Sequence, residues 1–299
     1  MRIVIGGASG LIGSALVKTL RADGHDVRRL VRGQPMGGDI SWDPGAGRLD
    51  ASALNGVEAL IHLSGESVAS GRWTAAKKTA IRDSRVKSTS LLASALASID
   101  EPPKTWLCAS AIGYYGNRGS EWLDEGSAAG AGFLAEVCKE WETATKPAAD
   151  GGLRVVNLRF GVVLSVEGGA FRQMMMAFKM GVGGVIGSGE QYISWITLND
   201  AVRAVVCALE NPFIAGPMNV VSPSPVTNRE LTQTLGRALR RPTILAVPAF
   251  AARLVFGEMA DEMFLASTRV RPKQLLDSGF TFSAPDLASA LESLLKVAP

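Results

Sequence analysis

The sequence predicts an α/β protein with a doubly wound parallel sheet and a smaller C-terminal region. Three observations point there. Apolar runs of strand length alternate with longer helical patterns through the first half of the chain. A glycine-rich turn separates the first strand from the first helix. Beyond Leu164 the alternation loosens, and residues 248–295 keep a helical periodicity unlike the first half.

The elements follow in order. Residues 2–5 read as the first strand. Residues 11–22 read as a helix with Leu11, Ile12, Ala15, Leu16 and Leu20 on one face, stopped by Asp23 and Gly24. Residues 27–31, 40–42 and 59–63 read as three further strands, and a long helix begins near Trp73 and runs to about Ser98. Pro102 and Pro103 break the chain before a fifth strand over 104–110. Residues 133–145 are helical and 153–160 form a sixth strand. Five glycines fall between Gly181 and Gly189, an extended pattern resumes over 192–196, and a helix starts near Asn199. This divides the chain into a core over 1–164 and a substrate-side region over 165–299 that completes the fold, with a helical segment from about residue 248.

Bulk properties exclude several classes. At 47% hydrophobic and 20% charged, the chain is too apolar for disorder. Its net charge of +3 comes from intermixed residues, without the basic density that nucleic-acid binding uses. No uncharged apolar run approaches the ~20 residues of a membrane helix, so neither a nucleic acid nor a membrane is expected as a partner. Cys108, Cys138 and Cys207 are far apart, which argues against zinc and disulfides and fits a reducing cytoplasm. No metal site is expected. Of the two histidines, His25 and His62, the second lies in an apolar run and reads as a satisfied strand residue.

Gly7, Gly10 and Gly13 form a GxxGxxG turn. The first glycine turns the chain, the second lets backbone approach a pyrophosphate, and the third lets helix and strand pack closely. The helix that follows offers unpaired N–H groups and the positive end of its dipole. Placed between strand and helix, this is a Rossmann dinucleotide site, with Gly7, Ser9, Gly10, Leu11, Ile12 and Gly13 as its phosphate-side residues. At the end of the second strand Arg32 stands where an NAD site usually carries an acid. An acid would repel a 2′-phosphate and a guanidinium would pair with it, so NADP is the expected cofactor.

These residues, with His62-Leu63-Ser64-Gly65-Glu66, Ser84-Arg85-Val86, Ala109 to Gly116, Arg159 to Leu164, Ser194-Trp195-Ile196 and Val270 to Lys273, resemble the extended and atypical short-chain dehydrogenase/reductase superfamily. The similarity is greatest to the subfamily labelled epimerase family protein, whose members are also called nucleoside-diphosphate-sugar epimerase or cell-division inhibitor. The resemblance implies that Leu63 and Ser64 pass the adenine and ribose, that Arg85 reaches the phosphates or ribose, and that Val163 lies near the nicotinamide.

Chemistry in that superfamily rests on Ser or Thr with Tyr-x-x-x-Lys, which this chain lacks. Registering Glu142 on the helix over 133–145 puts Leu134 and Cys138 at the Tyr and Lys positions, and Lys139 lies about 100° round the helix. The remaining candidates are Tyr114 for proton transfer and Ser110 for orienting substrate. Gly181 to Gly189 reads as a flexible loop closing over the active site. Met174 to Met176 form helix core or an adaptable pocket, Trp195 faces the cleft or packs, and Asp124-Glu125 reads as a solvated loop. Two functions follow: an NADP-dependent oxidoreductase or epimerase on a small polar or sugar-like substrate, or an NADP(H)-binding sensor without turnover.

Overall fold

In the computed structural model, which describes residues 1–296, the chain winds around one eight-stranded sheet. Strands β1 (Arg2–Gly6), β2 (Asp26–Val31), β3 (Ile40–Asp43), β4 (Arg48–Leu49), β5 (Ala59–His62) and β6 (Thr105–Ala111) are joined by Arg154–Phe160 and Gly216–Val220. From one edge to the other the order is Gly216–Val220, Arg154–Phe160, β6, β5, β1, β2, β3, β4. Neighbours run parallel apart from the antiparallel hairpin of β3 and β4. This is the Rossmann arrangement: from β1 the sheet extends to β2 on one side and to β5 on the other, which opens a crevice at the strands' C-terminal ends.

Alternation along the strands fills both faces. Ile3 and Ile5 of β1 point into a core with Leu16 and Leu20 of helix α1 (Leu11–Ala22) and Val205 of helix Leu198–Glu210. Val4, between them, points the other way, towards Leu92 and Leu96 of α2 (Ala75–Leu96) and Trp141 of α3 (Phe133–Thr143). Each such fully buried side chain contributes about 1.5–3 kcal/mol. A third core joins the helices Gly169–Lys179, Asn228–Leu239 and Leu287–Lys296 through Phe171, Met175, Leu235 and Leu291. Asp200 ties this part to the sheet. Its carboxylate accepts hydrogen bonds from the Ser283 and Ala284 amides at 2.9 and 3.1 Å.

The second stretch of the chain therefore returns to the sheet, through helix Leu198–Glu210 and strand Gly216–Val220. That strand carries no recognisable signal because Gly216 and Pro217 read as a break. Proline is tolerated there because the strand is outermost, where a missing N–H breaks no ladder.

Three further expectations are corrected. The glycines from 181 to 189 do not form a free loop, since Gly184–Ile186 pairs in parallel with Leu245–Val247. A Cβ on Gly183 would strike the Phe178 ring and one on Gly184 the Leu245 carbonyl, so these two glycines serve close packing. Glu125 is buried rather than solvated, its Oε1 accepting from the amides of Asn219 and Gln274 at 3.0 and 3.2 Å. His62 is only half satisfied. Its Nε2 meets Ser88 Oγ at 3.0 Å, Nδ1 has no partner, and burial pushes its pKa down to about 3. Trp195 packs, fully buried, with its indole N–H on the Ser224 carbonyl.

Candidate active site

The glycine turn is shaped by contacts that leave no room for side chains. Gly7 has φ +81°, and a Cβ there would stand 2.6 Å from the Leu63 carbonyl carbon and 2.7 Å from the Ser64 nitrogen. Leu63 and Ser64 are thus pressed against the turn, continuing from β5 by the bond from Leu63 N–H to the Gly6 carbonyl at 2.8 Å. Gly10 N–H closes the turn on the Gly7 carbonyl at 3.0 Å, and a Cβ on Gly13 would overlap that same carbonyl. Helix α2 is capped by the Thr74 side chain and helix Leu198–Glu210 by Thr197. By contrast, α1 starts at Gly10 with no side-chain cap and no acid in its first turn. Its first amides remain for a ligand. Leu11 lies against Gly168 and Gly169, so the turn after strand Val162–Leu164 covers the start of α1. Val163 pairs with Ile196 in a short parallel ladder beside it.

Cations surround the crevice. Arg32 lies two residues beyond Leu30, the partner of Gly6 in the β1–β2 ladder. It is exposed, and among the described residues no carboxylate comes within 4 Å of it. Arg85 reaches over from α2 to Gly65, where a Cβ would meet its Cζ at 3.1 Å. Its Nη1 donates to the Ile81 carbonyl at 2.9 Å and its guanidinium stands 5.1 Å from the Trp141 ring, beside Cys138. Burial lowers the Arg85 pKa, and no carboxylate forms an ion pair with it among the described residues. A third cation, Lys77, has no motif to announce it. It binds Glu66 at 2.6 Å and, with Arg32 and Arg85, holds that carboxyl below its ordinary range.

Ser110 and Tyr114 lie elsewhere, on the side of the sheet covered by α3. The buried Ser110 hydroxyl donates to Glu142 at 2.6 Å, and Glu142 forms a two-bond fork with Arg159 at 2.8 Å in both arms. Arg159 Nη1 donates to the Tyr115 hydroxyl, which donates to Asn219 Oδ1 at 2.7 Å. Burial pushes the Tyr115 pKa up to about 12. Burial also works against the Arg159 charge, but the Glu142 carboxylate outweighs it and raises the pKa. The Tyr114 ring lies 3.5 Å from the Arg159 guanidinium and lines an open cleft with Lys139, Glu142 and Asn157.

A more enclosed cavity of about 300 Å³ lies on the other side of the turn Ile112–Tyr115. Gly113, Gly116 and Leu134 line one wall, and Arg253, Asp261 and Glu262 line the other. Leu134 and Cys138 both face Gly113, as the register from Glu142 requires, but of these two positions only Leu134 lines the cavity; Cys138 is buried behind Gly113. The Glu262 carboxylate spans it, accepting from the amides of Phe133 and Leu134 at 3.0 and 3.1 Å, and so caps α3 from 129 residues away. Neither Ser110 nor Tyr114 lines this cavity. The role of Glu262 is invisible in sequence, because its partners are backbone groups of a distant helix.

Residues 3–221 match the model of the NAD dependent epimerase/dehydratase family. The chain belongs to this family. Residues 247–294, which supply the far wall of the cavity, match a domain of unknown function, DUF1731. An epimerase family protein of Mycobacterium bovis is 47% identical over 97% of this chain and 96% of its own length. The crystal structure of human epimerase family protein SDR39U1 (isoform 2) with NADPH superposes with a TM-score of 0.91 at 34% identity, covering all of both chains. The UDP-glucose 4-epimerase of Thermus thermophilus, solved with NAD, covers both chains fully with a TM-score of 0.77; at 17% identity it shares the fold alone.

Proposed function

We propose that this family member binds NADP(H) and transfers hydride between the nicotinamide and a small polar substrate seated in the 300 Å³ cavity. The observation that carries the reading is the placement of that cavity. It is lined by Leu134, at the position where the resemblance puts the superfamily's tyrosine, with Cys138 buried just behind Gly113, and it is roofed by the C-terminal segment. The cofactor is supported by the fit of the crevice. Gly7 and Gly13 admit no Cβ, the uncapped start of α1 leaves its first amides for a phosphate, Leu63, Ser64 and Val163 flank the turn, and Arg32, without a carboxylate partner among the described residues, suits a 2′-phosphate. The NADPH in the human relative agrees.

When bound, NADP supplies the hydride. The chain's part is to hold and orient. Arg85 places a cation beside Cys138, where the superfamily's lysine would anchor the ribose, and so takes over that anchoring from α2. Asp261 and Glu262 are the carboxylates lining the cavity; Glu262 is held by the α3 amides, so the proton is assigned to Asp261. Tyr114 and Ser110, the candidates read from sequence, act here through Arg159 and Glu142 to hold the turn Ile112–Tyr115 in place.

The test is NADPH consumption over a panel of carbonyls, alcohols and nucleotide sugars. Turnover lost in Asp261→Asn and kept in Tyr114→Phe is the expected result; the reverse returns proton transfer to Tyr114. The second reading, a sensor that binds NADP(H) without turnover, is favoured by the apolar Leu134 and Cys138 themselves. Tight NADPH binding with no consumption of any compound would establish it.

A further inference from the structure

Charge is distributed unevenly in a way the cofactor site does not explain. Residues 168–189 and 231–257 contain Arg172, Lys179, Arg237, Arg240, Arg241 and Arg253 and not one Asp or Glu, although the whole chain carries only +3. The fold brings these stretches together, by the parallel pairing of Gly184–Ile186 with Leu245–Val247 and by helix Asn228–Leu239 packing beside both. Arg237, Arg240 and Arg241 line an open groove with Thr243, and among the described residues none of them pairs with a carboxylate. Arg240 adopts a left-handed conformation, φ +53°, at the end of its helix.

Beside these cations, aliphatic side chains stand in solvent. Met176, Met180, Val182, Ile244 and Leu245 are all exposed, Ile244 to 89%. Thr243 of the arginine groove is followed directly by Ile244 and Leu245, and Leu245 pairs with Gly184 of the other stretch, so cations and aliphatics adjoin.

We infer that this surface docks on an anionic lipid bilayer. The arginines meet the headgroups, and Ile244, Met180 and Val182 enter the interface. No spanning helix is needed, and none is present among the described residues. Two other occupants fit less well. A nucleic acid would be met by aromatic rings for stacking, and these stretches expose only Phe250 and Phe256 against a majority of aliphatics. A second copy packed on the same patch by a two-fold axis would bring like-charged arginines together.

The experiment is co-sedimentation of the full chain with vesicles of phosphatidylcholine alone or mixed with phosphatidylglycerol. Binding that requires phosphatidylglycerol, weakens with salt and falls about a hundredfold in the combined Arg237→Ala, Arg240→Ala and Arg241→Ala variant is expected. Ile244→Asp should weaken it separately. NADPH affinity, measured on the same samples, should be unchanged and shows that each variant is folded. Equal binding to both vesicle types, no binding, or binding indifferent to these substitutions overturns the proposal. So does a gel shift with duplex DNA in the absence of vesicle binding, or a concentration-dependent dimer abolished by Ile244→Asp.

Discussion

At the glycine turn, the groups that shape the turn itself belong to a short run of chain and to the strand beside it, and most of them are backbone. In the cavity across the sheet end, facing walls come from residues 113–134 and 253–268, and the contacts that set its shape are side chains. The first site is a local conformation, excluding Cβ atoms wherever Gly7 and Gly13 approach neighbouring carbonyls. The second is an agreement between distant segments, held by the Glu262 carboxylate on the start of α3. The difference separates what each can do. A turn of this kind can hold a phosphate wherever it occurs, whereas the cavity has its second wall only when the C-terminal segment is docked.

Substitutions can break or sharpen that contrast. The largest effect is expected from Gly7→Ala. Its positive φ costs about 1–3 kcal/mol for any other residue, and the added Cβ collides with Leu63 and Ser64. NADPH affinity measured by calorimetry should fall by about two orders of magnitude or more, and near-unchanged affinity would mean the turn is not the cofactor cradle. Arg32→Asp comes next. Losing a charge-assisted bond and adding repulsion should weaken NADPH about 10–100-fold and NADH far less; equal losses would remove the 2′-phosphate assignment.

Glu262→Ala addresses the other region. Removal of the α3 cap should cost about 1–2 kcal/mol in urea unfolding and raise the substrate KM, with NADPH affinity unaltered. If cofactor affinity falls as far as substrate affinity, the two regions are not separable.

The smallest effect is the pH response of Glu125. Burial raises its pKa above the ordinary 4.5, and its Oε2 lacks a partner. A raised pKa means the folded chain binds this proton more tightly than the unfolded chain. Its contribution is therefore full below the ordinary value and declines as pH climbs through the raised one. Glu125→Gln keeps an oxygen for the Asn219 and Gln274 amides, so the stability difference between variant and wild type should grow in the variant's favour across that window. A pH-independent difference would show that Glu125 does not titrate there.

The legibility of the chain follows the same division. The strands on either side of α1, the glycine spacing and the free cation at Arg32 depend on neighbours within a few residues or on the adjacent strand. The register from Glu142 was readable because helical spacing is rigid, so Leu134 and Cys138 could be placed before any contact was known. Glu125 was misread for the opposite reason. Its burial is set by Asn219 and Gln274, 94 and 149 positions away. Ser110 could be placed on its strand, but only the packing of α3 shows that its hydroxyl is committed to Glu142.

By itself, then, the amino-acid sequence determined a parallel sheet, a dinucleotide turn and the loss of the Tyr-x-x-x-Lys pair, because periodicity, glycine sterics and residue identity act locally. Tertiary structure alone decided which side of the sheet holds the more enclosed cavity, that a carboxylate from the C-terminal segment caps α3, and where cations without carboxylate partners among the described residues gather. Those outcomes depend on through-space contacts between segments far apart in the chain, where burial and charge act without regard to sequence distance.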